Sequence, residues 1–249
     1  MFDVKIGKEF LVDTDGTSDG TQLKYFHDGF WYKEDSAERE GIVEYYVSRL
    51  LSFSTLPEKE YVEYEYGKIN GKDGCRSKNF LKDDESFITL ERLHTNVEGR
   101  SVVDAFKPIR TMEGRIDYVL EFVNKVVGLD LYDYFKKVFT LDYITLNEDR
   151  HFHNLGIIMD ENQHYRTAPI FDNGKSLLNG NTSRNLDLPI SENISRVVAR
   201  PFSGLHEAMY RYFGKGFNVD IQSALLWLED EENNLYKRVL EYRLKTIQF

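Results

Sequence analysis

The chain is predicted to be an α+β protein of two lobes, a strand-rich lobe followed by a mainly helical one. Three observations predict this. Short aromatic and apolar runs separated by turn residues fill the first third. Apolar residues at helical spacing dominate from Glu113 onward. The length, 249 residues, is enough to bury a core as one large domain or two lobes.

Phe10, Leu11 and Val12 read as a strand that runs into a dense turn cluster over 13–21. An alternating run, Gln22 to Phe26, then meets Phe30-Trp31-Tyr32-Lys33 across His27-Asp28-Gly29, a good hairpin signal. From Ser36, read as an N-cap, the pattern turns helical through Ile42, Val43, Tyr46, Val47, Leu50 and Leu51. Tyr61 to Tyr66 alternates as a strand does, as does Phe87 to Leu90, and the Gly-, Lys- and Asp-rich stretch over 70–84 reads as a loop between them. Ile116, Val119, Leu120, Val123, Val126 and Val127 lie on one helix, and a second is predicted over 131–146. A small hairpin is expected from Leu155 to Ala168 over the Asp160-Glu161-Asn162 turn. The stretch over 176–200 is polar and irregular. Helices are expected again over 202–213, 221–228 and 235–247.

The composition is that of an ordinary soluble protein, with 41% hydrophobic and 30% charged residues. A formal charge of −10 repels phosphate backbones, so no nucleic-acid partner and no anionic membrane surface is expected. A local basic patch for one nucleotide is compatible with that sign. The single cysteine, Cys75, excludes an internal disulfide and a thiolate zinc site. The first residues mix acid and base where a signal peptide needs an apolar run, and no stretch has the roughly twenty apolar residues of a membrane helix. We expect a cytoplasmic protein, with secretion left open.

The chemistry concentrates in Asn147-Glu148-Asp149-Arg150-His151-Phe152-His153-Asn154 and in Ile170-Phe171-Asp172-Asn173-Gly174. A carboxylate, an asparagine five positions later and a second carboxylate beyond an apolar hairpin suffice for phosphoryl transfer. One carboxylate orients the attacking hydroxyl, while an Asp and an Asn supply the few protein oxygens that Mg²⁺ takes. Taken singly, Asp149, Asn154 and Asp172 are also residues that any turn favours. His151 and His153 stand two apart, off a common helix face and without a further ligand nearby, so a zinc site is not expected. Upstream, Gly16-Thr17-Ser18-Asp19-Gly20 could let backbone N–H groups approach phosphates, although it is equally an ordinary hairpin loop and is not a Walker loop. Lys33 ends a strand and Glu44 lies in the following helix. Loop, lysine and glutamate come in the order that a kinase small lobe requires.

With these residues the chain resembles the HipA-like kinases, including the CtkA-like bacterial protein kinases. The match is Asn147-x-Asp149-Arg150-His151-x-x-Asn154 together with Ala168 to Asp172. The Asp-Arg-His order is shared with phosphatidylinositol kinases, whereas ordinary protein kinases place the aspartate last. The resemblance implies a bilobal protein-kinase-like fold, with an N-lobe over 1–93 and a helical C-lobe over 94–249. It implies ATP and Mg²⁺, with Asp149 the catalytic carboxylate and Asn154 and Asp172 the metal ligands. ATP would meet Gly16, Thr17, Ser18, Gly20 and Lys33, with Glu44 as the partner of that lysine and a hinge around Glu91, Arg92 and Leu93. Ser18 is the candidate for autophosphorylation, with Thr17 and Thr21 as rivals. The acceptor would be a serine or threonine of a protein substrate. A lipid or small-molecule acceptor, and a silent nucleotide-binding scaffold, are the alternatives. The extra N-terminal subdomain of full-length HipA has no room here, so an antitoxin-like or other small regulatory partner is implied only by family.

Overall fold

The structure is a computed structural model that describes residues 1–12, 22–36, 38–180, 184–185 and 187–247. The glycine-rich loop, with Gly16, Thr17, Ser18, Gly20 and Thr21, lies outside the described residues.

Two tight turns organise the first sheet. Asp28 and Gly29, at φ 49° and 76°, close β2 (Lys24–His27) onto β3 (Phe30–Glu34) in antiparallel register, Tyr25 opposite Tyr32. Asn70 and Gly71, at φ 53° and 85°, do the same for β4 (Glu65–Ile69) and β5 (Lys72–Lys78). Both pairs have the backbone twist that favours two-residue hairpins. The second hairpin corrects the expectation of a loop over 70–84. β5 is the middle strand of the order β1-β4-β5-β3-β2, in which β1 is Phe2–Val4, and the strand expected from Tyr61 begins only at Glu65. Lys-Asp-Gly-Cys-Arg-Ser-Lys has little strand propensity, but the strand is hydrogen-bonded on both edges, and that context overrides propensity.

The sheet edges also differ from expectation. β1 (Phe2–Val4) pairs in parallel with β4. Lys8–Phe10 is a 3-10 turn whose Phe10 ring packs on His27 of β2, and the backbone joins β2 through a bridge from Leu11 to Tyr25 and a hydrogen bond from Val12 N–H to the Lys24 carbonyl.

Helix α1 (Glu40–Leu51) crosses the sheet. Ser36 precedes it rather than capping it: its hydroxyl donates to the Glu40 carboxylate at 2.9 Å. Gly41 lets the helix touch β5, since a Cβ there would lie 2.7 Å from the Gly74 carbonyl carbon. Beyond it, Tyr46, Val47, Leu50 and Leu51 are buried in the main core, which continues through the helical lobe.

The chain passes from the first sheet to a second over residues 79–85, upstream of the division expected at 93. β6 (Ser86–Thr89) pairs with β7 (Gly156–Met159), and β7 with β8 (Tyr165–Thr167), the expected hairpin. Helices α2 (Leu90–Glu98), α3 (Val102–Phe106) and α4 (Met112–Val127) start on Thr89, Ser101 and Thr111, whose side chains accept a first-turn N–H. Helix α5 (Tyr132–Thr145) ends at Leu146 in the left-handed conformation. After α6 (Ile190–Ile194) come α7 (His206–Phe213), α8 (Ile221–Asp230) and α9 (Leu235–Thr246). The helix expected from Phe202 starts four residues later. Phe202 instead plugs an aromatic cluster of Phe106, Phe135, Phe139 and Phe152. Among the described residues no helix is long and apolar enough to cross a membrane.

The contact at Gly41 is testable. Alanine gains about 1 kcal/mol of helix propensity, but a backbone atom 2.7 Å away cannot yield without moving the helix. We expect Gly41→Ala to lower unfolding stability by about 1–3 kcal/mol in urea titration.

Candidate active site

The segment after α5 begins with the left-handed Leu146, φ 61°, which turns the chain out of the helix. Asn147 then folds back: its side-chain oxygen accepts the Asp149 N–H at 2.9 Å, and its carbonyl meets His206 Nε2 at 2.7 Å. Arg150 points the other way, into the protein, and is wholly buried. Its Nε and Nη2 each donate to Asp142 of α5 at 3.0 Å. Its Nη1 donates to the Phe171 carbonyl at 2.7 Å and the Asn154 carbonyl at 3.4 Å, and Nη2 also donates to the Asn173 side chain. A buried ion pair by itself contributes little net stability, because desolvation offsets the attraction. Its effect here is to fix geometry: one guanidinium holds the carbonyls of the segments that carry Asn154 and Asp172.

Asp172 has φ 58°, a conformation that costs a non-glycine residue of the order of 1 kcal/mol. The turn places its carboxylate 3.2 Å from Lys33 Nζ, and the following amide, Asn173 N–H, donates to Glu44 at 2.8 Å. Glu44 also lies 3.4 Å from Lys33 Nζ. One ammonium from β3 therefore serves two carboxylates, one from α1 and one from the far lobe. Burial works against the Lys33 charge, yet Asp172 and Glu44 hold its pKa well above the usual lysine range. Burial also opposes ionisation of Asp172, but Lys33 keeps that carboxyl at about 2. Glu44 is pushed up to about 7, chiefly by burial and against the pull of Lys33.

Asn154 donates through Nδ2 to the Asp149 carbonyl at 3.0 Å. Its Oδ1 is buried and has no protein partner. Buried carbonyl oxygens are seldom left so, and an oxygen-seeking cation would satisfy it. Were Mg²⁺ bound, Asn154 Oδ1 and the Asp172 carboxylate are the hard oxygens that would hold it, with phosphates and water completing the shell. Among the described residues no group of three His, Cys, Asp or Glu side chains could hold a metal. The rings of His151 and His153 lie edge to face, 5.5 Å apart.

Asp149 is half-buried. Its Oδ1 lies 3.3 Å from Arg200 Nη1 and its Oδ2 3.5 Å from His151 Nε2. Burial raises its pKa, against His151 and Arg200.

The structure thus brings together Asp149, Asn154, Asp172, Lys33 and Glu44. It does not bring Glu91 and Leu93 to them as an extended hinge. Both are in α2, where Leu93 is core and Glu91 accepts the Val102 N–H at 3.3 Å, and the Arg92 N–H is taken by Thr89. Strand β6 ends at Thr89, two residues earlier than a hinge there needs. Several residues of the site were not read from sequence. Asn173 and Asn147 were visible as neighbours of acids, but Tyr64, which lies under Lys33 at 5.4 Å from ring centre to Nζ, and Arg200 carried no signal.

No family model matches the chain, and no curated relative does. Among solved structures, the crystal structure of a Helicobacter pylori proinflammatory kinase, CtkA, is similar, with a TM-score of 0.64. That likeness covers 90% of this chain and 88% of that one at 16% sequence identity. A likeness at that identity is one of fold, and it establishes a bilobal kinase-like architecture for this chain.

Breaking the buried pair should expose its role. Arg150→Met leaves Asp142 charged and unpartnered, and is expected to cost about 3–5 kcal/mol in chemical denaturation. The double variant Arg150→Met/Asp142→Leu should recover part of that stability without restoring the position of Asp172.

Proposed function

We propose that the protein is an ATP- and Mg²⁺-dependent phosphotransferase whose acceptor is a serine or threonine hydroxyl of a protein. The observation that carries this reading is the convergence on one cleft of Lys33, held between Glu44 and Asp172, with the unpartnered Asn154 Oδ1 and the Asp149 carboxylate. Lys33 would bind the α- and β-phosphates, and Asn154 and Asp172 would hold the metal. When bound, Mg²⁺ supplies screening of the phosphate charge.

Asp149 would accept a hydrogen bond from the acceptor hydroxyl and aim its oxygen at the γ-phosphorus. As that oxygen–phosphorus bond forms, the bond from phosphorus to the ADP oxygen breaks, and the hydroxyl proton passes to Asp149. Positioning and charge stabilisation do most of the work in such a reaction. The backbone that meets adenine falls to the crossing at 79–85, beside Phe80 and Phe87, whose rings are 5.7 Å apart. Ser18 remains our candidate for autophosphorylation, ahead of Thr17 and Thr21.

Transfer from γ-labelled ATP tests the assignment. Asp149→Ala and Asp172→Ala should each lower the rate by about a hundredfold or more, with unchanged circular dichroism. Full activity in both variants would refute it. Magnesium-dependent thermal stabilisation by ATP in wild type, without any phosphorylated product, would favour a silent scaffold. Mass spectrometry after incubation with ATP and Mg²⁺ should locate phosphate on Ser18, and phosphate confined to another residue would reject that choice.

A further inference from the structure

Asn147 and Asp149 of the catalytic segment each have a partner in one downstream stretch, 198–206, and Glu148 between them is acted on from the same stretch. The Asn147 carbonyl meets His206 Nε2 at 2.7 Å. Burial pushes the Glu148 carboxyl up to about 7, and the Val198 amide opposes that rise. The Asp149 carboxylate lies 3.3 Å from Arg200 Nη1. The stretch is a rigid platform rather than a loose connection. Ala199 N–H donates to the Gly204 carbonyl at 3.0 Å, closing the loop on itself. Phe202, 1% exposed, anchors it in the aromatic cluster, and Arg115 Nη1 donates to the Phe202 carbonyl at 3.4 Å.

What this platform presents outward is specific. Val198 and Leu205 are 59% and 67% exposed, among the most exposed large apolar residues of the protein. Between them in sequence is Arg200, its side chain 58% exposed and resting on Asp149. Arg184 also acts on Glu148 from the stretch before the platform, donating at 2.7 Å to the Leu178 carbonyl. On a chain of net charge −10 this is a local reversal: residues 184–206 carry Arg184, Arg196 and Arg200 against Asp187 and Glu192. A substrate drawn by the overall field would be basic. One seated beside Asp149 meets a guanidinium.

Resting on the phosphotransferase reading above, we infer that the 198–206 platform is the acceptor-recognition surface, and that Arg200 selects a serine or threonine peptide with a carboxylate close to the acceptor and an apolar side chain beside it. The incoming carboxylate takes the Arg200 guanidinium, which frees Asp149 Oδ1 for the acceptor hydroxyl. The apolar neighbour covers Val198 and Leu205. Arg200 is here a specificity and positioning residue, because it acts on the reaction through Asp149 and the peptide.

Two matched peptides test this, one with Glu and Leu flanking a serine and one with Lys in place of Glu. Their kcat/KM values with ATP and Mg²⁺ are compared, and their serine-to-alanine forms are used in a binding titration that needs no turnover. Wild type should favour the Glu peptide by about tenfold or more in both measurements. Arg200→Glu should reverse the preference, and Arg200→Lys should keep most of it, which a merely structural role would not do. Equal use of both peptides by wild type overturns the inference and leaves the phosphotransferase reading standing. Preferential binding of the Glu peptide, reversed in Arg200→Glu but without transfer, supports the surface and refutes the activity. Binding of neither peptide, or Arg200-dependent phosphorylation of inositol-lipid vesicles instead, overturns the inference.

Discussion

The candidate site depends on one buried guanidinium. Arg150 has no contact with solvent, and its donors reach a helix carboxylate, two backbone carbonyls and an asparagine side chain. The partners come from α5, from the turn that carries Asn154 and from the strand end that carries Asp172. Without a charge at their centre those carbonyls would be buried acceptors with no common donor, an arrangement that costs free energy at each group. The gain is registry: the two polar segments that carry Asn154 and Asp172 are held in one fixed relation.

Registry within the helical lobe does not by itself make a cleft. The first sheet is joined through α1, which meets β5 at Gly41 on one side and the main core through Tyr46, Val47 and Leu50 on the other. Glu44, on the same helix, binds Lys33 of the sheet and the Asn173 amide of the helical lobe. The helix therefore sets the distance between the sheet lysine and Asp172. The packing at Gly41 leaves no space for a gradual adjustment of α1 against β5.

The parts of this arrangement that rest on local chemistry were legible in the sequence. The His-Asp-Gly hairpin, α1 and the Asp149 to Asn154 spacing each follow from turn preference, periodicity or donor type. β5 was hidden because its residues lack alternation; its place is set by neighbours on both sides, which no local pattern records. The Asn70-Gly71 pair was its visible trace, and it is a strong hairpin signal. The helix over Glu91 and Leu93 was hidden for a related reason: an apolar strand running into Leu90 gives no sign that Thr89 caps a helix there. Arg200 lies 51 residues from Asp149 and reaches it only through the closed loop around Phe202.

The charge balance of the cleft bears on what it can bind. Lys33 and Arg200 face Glu44, Asp172 and Asp149, Lys24 also acts on Asp172, and burial raises the Glu44 carboxyl to about 7. A bare polyphosphate would gain Lys33 and meet Asp149 and Asp172, with like charges repelling in a partly desolvated space. A divalent cation alone would gain Asp172 and the Asn154 oxygen, too few ligands to lose its water shell. Under the proposed function the two would offset each other: phosphates would complete the metal's coordination, and the metal would offset the repulsion between phosphate and carboxylate. The buried acceptor at Asn154 Oδ1 and the Asp172 carboxylate are what lead us to propose a metal–nucleotide pair, rather than either part alone, as the ligand of this site.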